Sequence, residues 1–216
     1  MSDYKVISAD SHASEPMEIF ERLPADMRHR APRIDTIDGI RWLFIDGTRW
    51  GTVDAPHPLT EEDKRREERG RQDAGLVNPR ENGVDIPLRL KDQDEDGISA
   101  EVVYPNGSFL AFASKNPDYQ IAVARILNDY YADIFSAYPT RFVCSAVIPV
   151  SDIENAINES RRAVKLGYRS LSVPVTTQYT SYNWPEYGPF WDAVEEIRVP
   201  LSFHVFTGEG ADQESA

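Results

Sequence analysis

The sequence predicts an α/β fold, a parallel sheet curling toward a (β/α)8 barrel of the TIM type. Three observations carry that prediction. From residue 88 onward, short apolar runs alternate with segments of helical periodicity. The runs are apolar without alternation, as strands covered on both faces are, and helices joining such strands make right-handed crossovers between parallel neighbours. No Gly-rich turn follows the first strand, which removes the usual sign of an open dinucleotide-binding sheet and favours a barrel.

The elements follow in order. Tyr4 to Ala9 is the first apolar run, and "SEPMEIFERLP" after it predicts a helix capped by Ser14 or Glu15 with Pro16 in its first turn. "IRWLFIDGTRWG" places two apolar runs around Asp46-Gly47, a hairpin signal. From 56 to 87 the chain is polar. There Lys64, Arg65 and Arg66 are flanked by Glu61, Glu62, Glu67 and Glu68, which predicts a solvated loop or helix rather than a basic patch. "PLRLKDQDEDG" is a helix stopped by Gly97, and Ala100 to Tyr104 a strand. In "NPDYQIAVARILNDYYADIFSAYP", Ile121, Ala124, Leu127, Tyr131, Ile134 and Phe135 recur at helical spacing. "RFVCSAVIPV" is a strand, and "DIENAINESRRAVKLG" a helix starting after a Ser151 cap and ending at Gly167. "RSLSVPV", "GPFWDAVEEIR" and "PLSFHVF" complete the pattern as strand, helix and strand. One domain over 1–216 is expected, with an insertion at about 40–87.

Composition narrows the function. The 216 residues are 41% hydrophobic, enough for a sizeable core, and the formal net charge is −13. That charge argues against nucleic-acid binding and against an anionic membrane surface. No run of about 18 apolar residues is present, and "MSDYKVIS" lacks the charged start and apolar stretch of a signal peptide. One cysteine, Cys144, permits no internal disulfide and fits a reducing compartment. A cytoplasmic protein with a small-molecule partner is expected, without nucleic acid or membrane.

Chemistry is sought at the C-terminal ends of strands, where barrels place their reacting groups. "ISADSHASE" sets Asp10 and His12 two positions apart, so on a strand both project from one face. Taken alone, the stretch also reads as a helix cap at Asp10 or Ser11. His204, on the last strand, adds a second imidazole. One carboxylate and two imidazoles make a common set for a catalytic divalent metal with an open position. His29 and His57 lie in polar, Pro-rich contexts and are expected at the surface; Cys144, inside a strand, is expected in the core. No nucleophile-elbow motif supports a Ser-His hydrolase at Ser11, Ser14 and His12.

"ISADSHASEP", "DEDGISAEVVYP", the long stretch from "ARILNDYYADIF" to "GYRSLSVP" with Asn128-Asp129 on its helix, and "GPFWDAVEEIRVPLSFHVFTG" resemble the amidohydrolase superfamily. The resemblance is to its amidohydrolase-related branch, which contains metal-dependent hydrolases and nonoxidative decarboxylases typified by aminocarboxymuconate semialdehyde decarboxylase. It implies a metal held by Asp10, His12 and His204. Binuclear members carry a modified lysine at the end of the fourth strand; "SLSVPVTT" has none, so one ion is implied, Zn or Mn. The implied reaction is hydrolysis or nonoxidative decarboxylation of a small carboxylated, aromatic or acyl substrate. Tyr104, Asn106, Tyr182 and Trp184, with Tyr179, follow the second and fourth strands on the mouth side, as substrate contacts or as rim packing. The family barrel has eight strands, and five are counted here. The later histidine and aspartate of the family have no counterpart, so the resemblance implies an incomplete barrel, the N-terminal portion of a longer enzyme, whose further catalytic residues stay unassigned. The alternative is a non-catalytic half-barrel that pairs its open edges with another chain, a homo-oligomer included.

Overall fold

Among the described residues both hairpin turns are Asp-Gly pairs at positive φ, Asp38-Gly39 at 53° and 80° and Asp46-Gly47 at 54° and 73°. Such two-residue turns match the twist of the flanking strands. They connect β2 (Arg33–Ile37), β3 (Ile40–Ile45) and β4 (Thr48–Thr52) into a three-stranded antiparallel sheet. The Asp46-Gly47 hairpin was expected. β2 was not, although the same Ile-Asp-Gly triplet stands at 37–39 and at 45–47.

The structure is a computed structural model describing residues 4–53, 61–62, 65, 69, 83–177 and 180–208. Most of the polar segment from 56 to 87, with Lys64, Arg66 and His57, lies outside the described residues. The main sheet contains β1 (Val6–Ala13), β5 (Ile98–Pro105), β6 (Phe142–Val147), β7 (Ser170–Thr176) and β8 (Leu201–Gly208), in that spatial order. All four pairings are parallel. Helices α1 (Ile86–Asp96), α2 (Ser108–Phe112), α3 (Pro117–Phe135), α4 (Ile153–Lys165) and α5 (Gly188–Ile197) occupy the crossovers. Spatial order that follows chain order curls the sheet one way, so β1 and β8 face each other across its concave side. The fold is an incomplete TIM-type barrel, as the sequence predicts. No helix among the described residues is long and apolar enough to cross a membrane.

α3 shows why the segments hold. Asn116 caps it by accepting from the Tyr119 amide, and Pro117 opens the first turn. The expected stripe is buried at Ile121, Ala124, Leu127, Tyr131 and Phe135. Asn128, on the same face, is fully buried and acts as a missing strand. β6 pairs with β5 only through Cys144, so the Val147 amide and carbonyl face α3 instead of β5. Asn128 Oδ1 accepts from Val147 N at 2.8 Å, and its Nδ2 donates to Val147 O at 3.0 Å and to Glu159 Oε1 at 2.7 Å. Glu159, also fully buried, is held by Arg162 and Arg125. The carboxylates of Glu159 and Asp129 hold the Arg162 guanidinium protonated, against the opposing effect of burial.

Two expected caps are corrected. "SEPMEIFERLP" forms a 3-10 turn over Met17–Arg22 that neither Ser14 nor Glu15 caps; Pro16 holds the cap position without a side-chain bond. Pro24 confines the preceding Leu23 to an extended conformation, φ −54° and ψ 146°, and stops the turn from lengthening. Its apolar residues Ile19 and Phe20 are buried all the same. The start of α4 is capped by Asp152, not Ser151: the Asp152 carboxylate accepts from Asn155 N at 2.8 Å. A carboxylate at this position also complements the positive end of the helix dipole, which a hydroxyl cannot do. Gly97 at φ 71° and Gly167 at φ 99° stand at the ends of α1 and α4, as expected. Cys144 is buried within β6, and burial pushes its thiol up to about 12, so it is core and not nucleophile.

Candidate metal centre

The end of β1 is irregular, and the irregularity aims its side chains. Ser8 pairs with Glu101 and Ser11 with Val103, so β1 spends three steps where β5 spends two. Such bulges occur at barrel rims, where they redirect a side chain. Past the bulge, His12 lies opposite Tyr104. On the far edge, His204 of β8 lies opposite Pro174 of β7.

The three side chains meet across the concave face. His12 Nε2 and His204 Nε2 are 3.1 Å apart, His204 Nε2 and Asp10 Oδ1 3.2 Å, and His12 Nε2 and Asp10 Oδ1 3.7 Å. Among the described residues they form the one group of three or more His, Cys, Asp or Glu side chains with metal-binding spacing. Donor atoms about 2.0 to 2.2 Å from a shared ion lie about 3 to 3.5 Å from one another, so the set fits a single small divalent cation. Hydrogen bonding alone accounts for it less well. His204 Nε2 faces two partners, and an imidazole nitrogen carries at most one hydrogen. The cluster opens outward, with side-chain exposure of 17% at His204, 38% at His12 and 69% at Asp10. Burial lowers the pKa of His12, with His204 and Arg89 adding to the effect and Asp10 opposing it. The neutral imidazole, which is the ligand form, is thereby favoured.

The end of β1 is held by Arg89 and Glu101, which the sequence did not single out, and by Tyr131 and Asn106, which it marked for other roles. Arg89 of α1 donates from Nη1 to the His12 carbonyl at 3.0 Å and from Nη2 to Ser11 Oγ at 2.7 Å, and pairs with Glu101 at 2.6 Å. The signal was Glu101 itself, a charge inside the apolar run "ISAEVVYP", which requires a partner when buried. Tyr131 donates to the Ala13 carbonyl at 2.6 Å, and Asn106 N donates to the same oxygen at 2.8 Å.

The expected substrate residues take separate places. Tyr104 lies beside His204 with ring centroids 4.5 Å apart and the rings tilted by 39°, its hydroxyl bonded to Ser202 Oγ at 3.0 Å, so it backs the imidazole. Asn106 Nδ2 donates to Ser14 Oγ at 2.7 Å, tying the ends of β5 and β1 together. Tyr182 donates to the Pro174 carbonyl at 2.6 Å and packs against Tyr187, Trp191 and Phe203. Trp184 is half exposed in the same loop. Tyr179 lies outside the described residues. His29 is exposed, as expected.

The turn after β5 is close-fitted to this end of β1. A Cβ on Gly107 would lie 1.7 Å from Glu15 Oε1. Gly107→Ala therefore expels the Glu15 carboxyl from its place against the Gly107 amide and lowers unfolding free energy by about 1 to 3 kcal/mol. In urea titrations the loss is expected to shrink in the Glu15→Ala background, where nothing is left to collide; an equal loss in both backgrounds would refute the contact.

Residues 110–214 match the family model described as amidohydrolase. Gamma-resorcylate decarboxylase of Rhizobium radiobacter is 32% identical over 123 residues, covering 54% of this chain and 37% of the relative. An amidohydrolase structure from Mycobacterium avium subsp. paratuberculosis superposes with a TM-score of 0.71 at 18% identity, covering 95% of this chain and 59% of that one. A dihydroxybenzoic acid decarboxylase from Polaromonas sp., solved with bound manganese and the inhibitor 2-nitroresorcinol, superposes with a TM-score of 0.54 at 21% identity, covering 93% and 49%. The chain thus spans about half the length of these solved structures.

Proposed function

We propose that this chain, which belongs to the amidohydrolase superfamily on its decarboxylase-like branch, uses Asp10, His12 and His204 to hold one divalent ion that binds the carboxylate of a small aromatic acid, as part of a nonoxidative decarboxylase. The convergence of one carboxylate oxygen and two imidazole nitrogens, from opposite edges of the sheet, carries this reading. Manganese is favoured over zinc because a structural neighbour was solved with it. A bound ion would supply positive charge against the substrate carboxylate.

The residues of the chain do the rest. His12 and His204 present lone pairs in fixed directions: the His12 carbonyl is held by Arg89, and the His204 ring is backed by Tyr104. Asp10, the most exposed of the three, contributes one negative charge and leaves the opening toward solvent clear. Asn106, just after β5, and Trp184, half exposed in the loop after β7, are the candidate contacts for an aromatic ring. The proton that must reach the ring carbon as CO2 departs is assigned to none of the described residues. Decarboxylation is preferred to hydrolysis because the relative with 32% identity is a gamma-resorcylate decarboxylase.

The test is calorimetric titration of 2,6-dihydroxybenzoate into the chain with and without Mn2+. Binding is expected only with Mn2+ present, and is expected to vanish in Asp10→Ala. Equal heats with and without Mn2+ would contradict the reading. A second reading, the non-catalytic half-barrel, draws support from apolar side chains exposed on the edge strands: Val6 at 51%, Ile7 at 59% and Phe203 at 51%. Sedimentation as a monodisperse dimer that binds no divalent ion would favour it.

A further inference from the structure

Glu15 belongs to the "DSHASEP" motif but does not join the three-residue cluster. Its carboxyl turns inward against α3 and the end of β5. Oε2 lies 2.8 Å from Tyr131 Oη and 3.3 Å from the Gly107 amide nitrogen. The same Tyr131 oxygen lies 2.6 Å from the Ala13 carbonyl oxygen. Tyr131 is fully buried.

The hydrogens do not add up with an ionised Glu15. A phenol carries one hydrogen, and a carbonyl and a carboxylate are both acceptors only. One of the two short O···O contacts would then bring lone pairs together in a place where an unmet polar contact is costly. A protonated carboxyl removes the conflict, because it brings a second hydrogen. Tyr131 then accepts from one side and donates to the other.

We propose that Glu15 is carried as the neutral acid, its hydroxyl donating to Tyr131 Oη and Tyr131 donating in turn to the Ala13 carbonyl. This directed chain makes Glu15 a positioning residue for the strand end that bears Asp10 and His12. Nothing in it requires an ion at the cluster, so it stands apart from the metal reading.

The surroundings agree. Burial raises the pKa of Glu15, and the opposing groups are the Tyr131 hydroxyl and the backbone amides of Glu15 and Gly107, none of them a cation. Burial and the neighbouring Glu15 also raise the pKa of Tyr131, whose phenol keeps its hydrogen; Cys144 and Tyr130 push the same way. The Tyr130 phenol faces Glu15 as well, and Arg22 opposes the rise in its pKa that burial and Glu15 produce.

The test is infrared spectroscopy of the folded chain carrying carboxyl-labelled glutamate, at neutral pH. An un-ionised carboxylic acid band is expected in the wild type. It should disappear in Glu15→Gln and move in Tyr131→Phe, where its acceptor is gone. Absence of any such band in the wild type overturns the proposal, and so does a band that survives Glu15→Gln. Stability gives a second readout. A carboxyl whose folded pKa lies above the unfolded value of about 4.3 favours the folded state most at low pH, and that contribution falls as pH rises through the interval. The urea midpoint of the wild type relative to Glu15→Gln is therefore expected to fall as pH rises from 4 to neutrality, and a difference that instead grows with pH overturns the assignment. Should Glu15→Gln fail to fold, the wild-type band and its movement in Tyr131→Phe decide the matter.

Discussion

Asp10→Ala or His204→Ala is expected to weaken Mn2+ binding by the chain more than about 100-fold, a loss larger than the 10- to 100-fold that follows removal of groups merely supporting a ligand. The reason is the small number of donors. Among the described residues the cluster offers three ligand atoms, one from each residue and all within 4.8 Å of one another. Removing one leaves two, and the vacated position falls to water. The effect should be local, because Asp10 is largely exposed and both histidines are partly so, and circular dichroism should show the fold intact. His29→Ala is the control: an exposed histidine in a 3-10 turn outside the cluster, whose loss should leave Mn2+ affinity unchanged. Electron paramagnetic resonance of free Mn2+ in a titration reads all three variants. Equal affinity in Asp10→Ala, His204→Ala and wild type would place the ion elsewhere.

The largest effect on stability is expected at Asn128. Asn128→Leu keeps the side chain's approximate volume but removes three hydrogen bonds, two to Val147 and one to Glu159. An unmet buried partner costs about 1 to 3 kcal/mol, so a loss of about 3 to 5 kcal/mol in unfolding free energy is expected from urea titration. A domain with about 5 to 15 kcal/mol in total would be left marginal. Glu159 retains Arg162 and Arg125, which keeps the loss below that of a fully stranded buried charge. Asn128→Asp should be no better, since a carboxylate there faces the Val147 carbonyl and the Glu159 carboxylate. A loss under about 1 kcal/mol in Asn128→Leu would mean that Val147 finds another partner.

Much of this molecule is legible in the sequence, and the boundary of legibility has physical causes. The five parallel strands were readable as short, unbroken apolar runs and the long helices by a period kept over many residues: Ile121, Ala124, Leu127, Tyr131 and Phe135 are all buried. Asp10, His12 and His204 were readable as candidates because acidic and imidazole side chains at strand ends have few structural uses in a barrel, and the structure does bring them together. What escaped were interactions between groups far apart in the chain. Arg89 reaches Ser11 and His12 across more than 70 residues, and no local pattern marks that reach. Glu15 looked like a helix cap because acidic residues before a proline so often are; only the position of Tyr131 shows that its carboxyl turns inward instead. β2 was missed because a strand of five residues carrying Arg, Asp and Thr resembles a loop unless the Asp38-Gly39 turn is recognised beside it.

One divalent ion is expected where the two edges of the curled sheet converge. Crystals of the chain grown with Mn2+, measured on either side of the manganese absorption edge, address it directly. One anomalous peak is expected within about 2.0 to 2.3 Å of Asp10 Oδ1, His12 Nε2 and His204 Nε2, distances typical of carboxylate and imidazole ligation. A peak bound to other side chains, with these three joined to each other by hydrogen bonds alone, would contradict it.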